Sequence, residues 1–292
     1  TWHTGPGTGF GKGARLPGVL ALNGQLVEGR AVQVARYLPL GIGASTRQWV
    51  RRAVQAGQVQ QVQYRVKGDL WDFPYVNKRD GEFRISAQLK DVTLAPVPSV
   101  PAGQGEPAWE SPWPAFTALH GELVFERNSM AFQQTRGRLW GQELSDVQGR
   151  IRELSDHAVL EVEGRARGPV ADLLRLLRST PLADATGRAL DTTTATGVAD
   201  LRLGLNIPLG RTQDTVLKAS LQLPGNDVRL RPDLPLLANA RGRLEATHKG
   251  VQLQAVRAQL LGGETQIDGG TQPDGSLRVV LAGMATADAL RR

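Results

Sequence analysis

Apolar and polar residues alternate with period two along most of the chain, the pattern of strands with one dry and one wet face. The cleanest run is "ADLRLGLNIPLG", where Ala199, Leu201, Leu203, Leu205, Ile207 and Leu209 alternate with Asp200, Arg202, Gly204, Asn206 and Pro208. Similar alternation occurs at Val62, Tyr64 and Val66, at Phe83, Ile85, Ala87 and Leu89, and at Ala158, Leu160 and Val162. It returns at Leu217, Ala219, Leu221 and Leu223, and at Leu277, Val279 and Leu281. Gly, Pro, Asn or Asp bounds each run, which predicts antiparallel hairpins and meanders. Two short stretches carry helical spacing instead. "GPVADLLRLLRSTP" places Pro169 in a first turn and Val170, Leu173, Leu174 and Leu177 on one face, ending before Pro181. "STRQWVRRAVQAG" offers Ser45 as N-cap, Trp49, Val50, Ala53 and Val54 as its stripe, and Gly57 as its stop. Each reads as a lid packed on sheet or, alternatively, as a helix lying on a membrane surface.

The pattern is written more than once. Residues 114 to 141 align without a gap with residues 235 to 262, and seven of the 28 pairs are identical, among them Gly121 with Gly242, Leu123 with Leu244 and Gly141 with Gly262. "VEGRA" occurs at 27 to 31 and at 162 to 166, followed by the apolar segments "VARYL" and "VADLL"; a third version is "LAGMA" at 281 to 285 followed by "TADAL" at 286 to 290. "QLKDVTL" at 88 to 94 matches "QLPGNDVRL" at 222 to 230, and a Pro-rich insertion lies between Leu94 and Pro114 in the first copy alone, a loop within a unit. The expected unit is therefore one short helix followed by about six strands. Residues 1–168 form one repeat unit, with the end of a preceding unit at 1–31, and residues 169–292 form a second, the two sharing one continuous sheet rather than making independent domains. The fold class is mainly β: an elongated, strongly curved antiparallel β-groove of repeated multi-strand units with short intervening helices. Gly121 and Gly242 are expected where strands bend, and Phe125 against Ala246 and Phe132 against Leu253 predict a groove narrower at the first copy.

Composition removes several kinds of chemistry. There is no cysteine, which excludes disulfides, thiolate metal sites and cysteine nucleophiles. The net charge is +7, with basic residues spread along the chain and in no long run, so a solvated outer face fits better than a nucleic-acid patch. "GPGTGFGKGA" fails as a P-loop because Pro6 and Gly13 replace residues that motif needs, and reads as a tightly turned glycine segment. The four histidines, at 3, 120, 157 and 248, stand apart from one another, and Glu161 and Glu163 share a strand face that reads as surface charge. No catalytic residue, cofactor or metal is expected. The chain opens at Thr1 in mid-pattern, without a leader or an apolar run long enough to span a bilayer, which predicts a fragment of a longer chain.

What covers the dry faces is the open question, because two short helices are too little for a second layer. The sheet either folds onto itself as a filled sandwich or stays open as an apolar trough. A sandwich would suit a structural or interaction module, and a trough would suit an acyl-chain lipid. In the trough the lining is expected to include Phe83, Ile85, Leu123, Phe125, Leu160, Val162, Leu201, Leu203, Leu205, Leu221 and Leu223. The aromatic loop "WDFPYVNKR" at 71 to 79 either touches a membrane or partner or packs as a rim on its own strands.

"RYLPLGIGASTRQWVRRAVQAGQVQQVQYRVKGDLWDFPY" at 36 to 75, then "GEFRISAQLKDVTLAPVPS" and "WPAFTALHGELVFERNSMAF", resembles the YhdP-type AsmA-like envelope proteins of Gram-negative bacteria, best over about residues 15 to 168. The resemblance rests on the order and spacing of these strings. It implies a very long periplasmic protein anchored in the inner membrane, built of repeated β-groove units and concerned with moving phospholipid toward the outer membrane. The partners so implied are phospholipid or another acyl-chain lipid and, through other parts of the full-length chain, the two membranes, with no nucleic acid. The family supplies no catalytic motif to carry over.

Overall fold

The computed structural model describes residues 1–38, 42–103, 107–185, 188 and 190–286, so residues 287–290 of the third echo lie outside the described residues. Fifteen strands are found among the described residues: β1 (Trp2–His3), β2 (Val19–Arg30), β3 (Val54–Asp69), β4 (Gly81–Leu94), β5 (Phe116–Glu126), β6 (Ser129–Leu139), β7 (Gln142–Ile151), β8 (Val159–Pro169), β9 (Thr194–Ala195), β10 (Val198–Pro208), β11 (Val216–Arg229), β12 (Leu237–Thr247), β13 (Gly250–Leu260), β14 (Gly263–Thr271) and β15 (Leu277–Gly283). They make one antiparallel sheet in which neighbours in sequence are neighbours in space; β9 alone leaves that path and pairs β11. The sheet is not closed, and no second sheet lies over it among the described residues. The filled sandwich is thus replaced by a single layer. Its accessible surface of 18818 Å² compares with about 12,000 Å² for a compact chain of this mass, because one layer leaves both faces uncovered.

Strand direction divides the ends of the sheet into two rims. One rim, called the hairpin rim, carries the connections after β3, β5, β7, β10, β12 and β14. The other carries the two-residue turns after β6 and β13, the remaining connections and the helices α1 (Ala44–Ala53), α2 (Val170–Ser179) and α3 (Leu182–Ala185). The bend between the rims comes from β-bulges, each of which adds a residue to one strand and kinks it. Register shifts interrupt the pairing of β3 with β4, β4 with β5, β5 with β6, β6 with β7 and β7 with β8. Left-handed residues mark them at Gln61, Asp91, Ala118, Gln134 and Asp146. The second copy repeats the device at Asn239 and Ala255, at the same spacing as the sequence echo. Between the copies, β8 and β10 pair over eleven residues without a shift, so the sheet runs on through the junction.

Helix α2 covers the helix-rim end of the second copy. Its Val170 and Leu174 pack on Ala199, Leu223, Ala240, Val256, Ala258 and Ile267 from β10 through β14. In the first copy a 3-10 helix at Ala31–Arg36 closes the equivalent place over Val92 and Leu119. Helix α1 differs from its expected bounds. Gly43, not Ser45, is the N-cap, and the helix stops at Ala53. Val54 to Gly57 belong to β3, because pairing with Leu94 and Thr93 claims that backbone. Gly57 serves a bulge, with φ +104°, and a Cβ there would lie 2.5 Å from the Val92 Cα. The "VEGRA" match is also displaced, since Ala31 opens a helix whereas Ala166 is inside β8 and its helix begins at Val170.

Candidate functional site

Paired residues of antiparallel strands share a face, so the register converts the alternation into continuous rows. One row runs Tyr64, Ile85, Phe125, Met130, Ile151, Leu160, Ile207 from β3 to β10, each residue paired with the next. A second runs Ala87, Leu123, Phe132, Gly149, Val162, Leu205, Leu217. A third runs Leu144, Ala166, Leu201, Leu221, Leu244, Leu253, Gly269, Val279 and reaches the last strand. A shorter row joins Gly164, Leu203, Ala219, Ala246 and Val251. Glycine and alanine vary the depth of this wall, and no charged side chain enters these rows.

The other face is polar. Arg65 pairs Glu82 at 3.2 Å, Arg84 pairs Glu126 at 3.0 Å, Arg150 pairs Glu161 at 2.7 Å and Arg167 pairs Asp200 at 3.3 Å. Glu161 also accepts from Arg152, and these two arginines, Arg152 first, hold its carboxyl below the usual range. It is an ion-paired surface acid, which is the opposite of a raised general acid. His120 meets Asp91 at 3.0 Å across a bulge. Among the described residues, no three His, Asp or Glu side chains are placed to hold a metal ion.

The expected lining residues occupy the apolar face at graded depths. Ile85, Phe125 and Leu160 stand in the first row, Leu123, Val162 and Leu205 in the second, Leu201 and Leu221 in the third, and Leu203 in the short row. Phe83 ends the wall at the hairpin rim, 4.9 Å between ring centroids from Phe73. Leu223 pairs beside Gly242 and is buried under α2, where protein covers it. Sequence reasoning passed over Leu144 and Ile151 as wall residues. Leu144 and Ile151 stand on either side of the Asp146 bulge, which breaks the alternation that would have shown them.

All six tryptophans avoid the wall. Trp2, Trp71, Trp49, Trp109, Trp113 and Trp140 sit in β1, in helices or in rim loops. The 71 to 79 loop packs inward through Tyr75, which is fully buried and edge-on to Phe73, while Trp71 and Val76 are exposed. The glycine segment at 5 to 14 is fastened to this rim. Gly5 donates to the Arg15 carbonyl and Gly7 to the Gly13 carbonyl, while Lys12 bridges Asp72 and Asp80, both at 3.3 Å. Asp69 accepts from the Trp71 and Gly13 backbone N–H groups, each at 3.0 Å, and these bonds hold its carboxyl below the usual range. A lowered pKa means that the clasp is complete above the ordinary carboxylate range and is lost as pH falls through the folded value. Carbon-13 titration of Asp69 is expected to give a midpoint below that of a free aspartate, and Asp69→Asn to remove the acid-dependent release of this segment. A midpoint at the free-aspartate value would refute the clasp.

The model of the YhdP protein family matches residues 6–292. The chain belongs to the YhdP family. At family level, membership associates it with lipid transport in the cell envelope rather than with catalysis. No helix among the described residues is long and apolar enough to cross a membrane. Searches of curated proteins and of solved structures return no match. The YhdP assignment stands on the family model, which covers nearly the whole chain.

Proposed function

We propose that the apolar face of this sheet binds the acyl chains of phospholipid and forms one stretch of a periplasmic conduit between inner and outer membrane, within a longer chain anchored to the inner membrane. The observation that carries this reading is the set of apolar rows that continue in register from strand to strand, with no second sheet over them among the described residues and with α2 covering only the helix-rim end of the second copy. Each exposed methylene costs about 0.8 kcal/mol in water, so a diacyl lipid with roughly 30 of them meets a barrier on the order of 20 kcal/mol when it crosses bare. A wall that runs across strand after strand removes that barrier at every point, which a closed pocket for a single ligand would not. The polar face keeps the outside wet, with ion pairs that occupy Arg65, Arg84, Arg150 and Arg167.

Native mass spectrometry of the purified chain, before and after delipidation, tests the reading. Mass increments of diacyl phospholipid are expected in the untreated sample. Equal masses in the two samples would leave only a scaffold with an exposed apolar face.

A further inference from the structure

Helix α1 carries Arg47, Arg51 and Arg52 and no acid, and Arg36 ends the 3-10 helix before it. Among the described residues, none of the four has a carboxylate partner. Arg51 and Arg52 have a reason within the fold, since cations in a last turn complement the helix dipole. Arg47 has none. It stands in the first turn, at the positive end, and four residues before Arg51 on the same face, so both placements disfavour the helix. Its Nε is buried without a hydrogen-bond partner, a further cost.

The second copy shows the contrast. In α2, Arg178 donates to the Leu190 and Thr193 carbonyls, Arg175 lies 5.0 Å over the Trp140 ring, and Asp172 occupies the first turn. Those cations are used by the fold, and Arg47 of α1 is not. The position of the α1 arginines matters. Ala53 at the end of α1 is buried, and the cluster of Ala31, Val92 and Leu119 with Val54, Val59 and Leu89 joins this corner to the apolar face. Leu89 continues the column of Phe83, Ile85 and Ala87 along β4. The arginines therefore stand where the apolar wall reaches the helix rim. Beside them are Trp49, 43% exposed with its indole donating to the Pro96 carbonyl at 3.0 Å, and Tyr37, 80% exposed. Such rings suit the boundary between hydrocarbon and headgroup.

We infer that Arg47, Arg51 and Arg52, with Arg36, form a headgroup site that holds the phosphate of a phospholipid whose acyl chains lie on the adjoining wall. This rests on the lipid reading above. A guanidinium fork matches two phosphate oxygens, and one phosphate would relieve the like-charge crowding of Arg47 and Arg51. The site would distinguish phospholipids from neutral lipids with identical tails.

The test measures binding of fluorescently labelled phosphatidylglycerol and of diacylglycerol with the same acyl chains to the whole chain. The wild-type protein is expected to prefer phosphatidylglycerol about tenfold or more, the value of one charge-assisted contact. The R47Q/R51Q/R52Q variant is expected to bring the ratio near one with diacylglycerol binding unchanged. Arg47→Gln alone is expected to raise the thermal midpoint, by removing a misplaced cation, and still to lower the ratio, so that loss of folding cannot mimic the result. An unchanged ratio overturns the headgroup site and leaves the conduit standing. Failure of the wild type to bind either lipid overturns the conduit, and the site with it. If the substitutions abolish only pelleting with phosphatidylglycerol vesicles while the ratio survives, α1 docks on a membrane surface and the headgroup site is wrong.

Discussion

Leu203→Asp is expected to strip bound lipid from the protein while leaving its fold intact. Leu203 sits in the middle of the apolar face, paired with Gly164 on one side and Ala219 on the other, and no helix covers it. Without lipid, a carboxylate there remains in water, so the cost to folding is limited to strand preference, about 1 kcal/mol or less. With acyl chains over it the same carboxylate is desolvated without a partner, which costs several kcal/mol or forces the lipid away. Lipid per chain by native mass spectrometry is expected to fall at least about tenfold, with the urea midpoint nearly unchanged. Leu174→Asp supplies the contrast. Leu174, on α2, is 7% exposed and packs the helix onto the strands beneath it, so its replacement is expected to unfold the second copy. Retention of wild-type lipid stoichiometry by Leu203→Asp would sink the acyl-chain reading.

Gly242→Ala is expected to cost about 2–4 kcal/mol of stability, far more than a one-carbon change usually does. Its backbone has φ +141°, and an added Cβ would lie 2.6 Å from the Val256 Cα and 2.8 Å from the Ala255 carbonyl oxygen, both main-chain atoms that cannot swing away. Gly121 holds the same position in the first copy, with its Cβ placed 2.9 Å from the Thr135 Cα. These glycines stand where the bulges of neighbouring strands bring backbones together, so the substitution acts on the bend itself. Gly204→Ala is the control, because its nearest atom would be 3.9 Å away and its φ is ordinary. It is expected to be neutral or to gain up to about 1 kcal/mol from reduced chain entropy. Urea denaturation of the two variants side by side decides it, and equal midpoints would refute the bending role.

Much of this architecture was legible locally. The alternation of Leu201, Leu203 and Leu205 with Asp200, Arg202 and Asn206 gave a strand and its dry face, since side chains on a strand must point to opposite sides. The gapless echo placed β5 and β6 against β12 and β13 residue for residue, and Gly121 and Gly242 at the bends. The start of α1 was misjudged because Ser45 is a good cap by type while Gly43 takes the place, and its end because a glycine that stops a helix and a glycine that admits a bulge look alike in sequence. Several bulges carry no residue signature: Gln61, Ala118, Gln134 and Ala255 are ordinary residues in left-handed conformations, whereas Asp91, Asp146 and Asn239 are of the types that favour them.

The sequence by itself determined that strands of one wet and one dry face recur in units, because period-two patterning and repetition are properties of neighbours along the chain. Only the tertiary structure decided that the dry face stays in one open layer, that Ile85, Phe125 and Leu160 fall into a single row, and that Leu223 belongs under a helix. Those outcomes depend on register between strands far apart in sequence and on bulges that bend them together, and both are set by pairing partners that no local window contains.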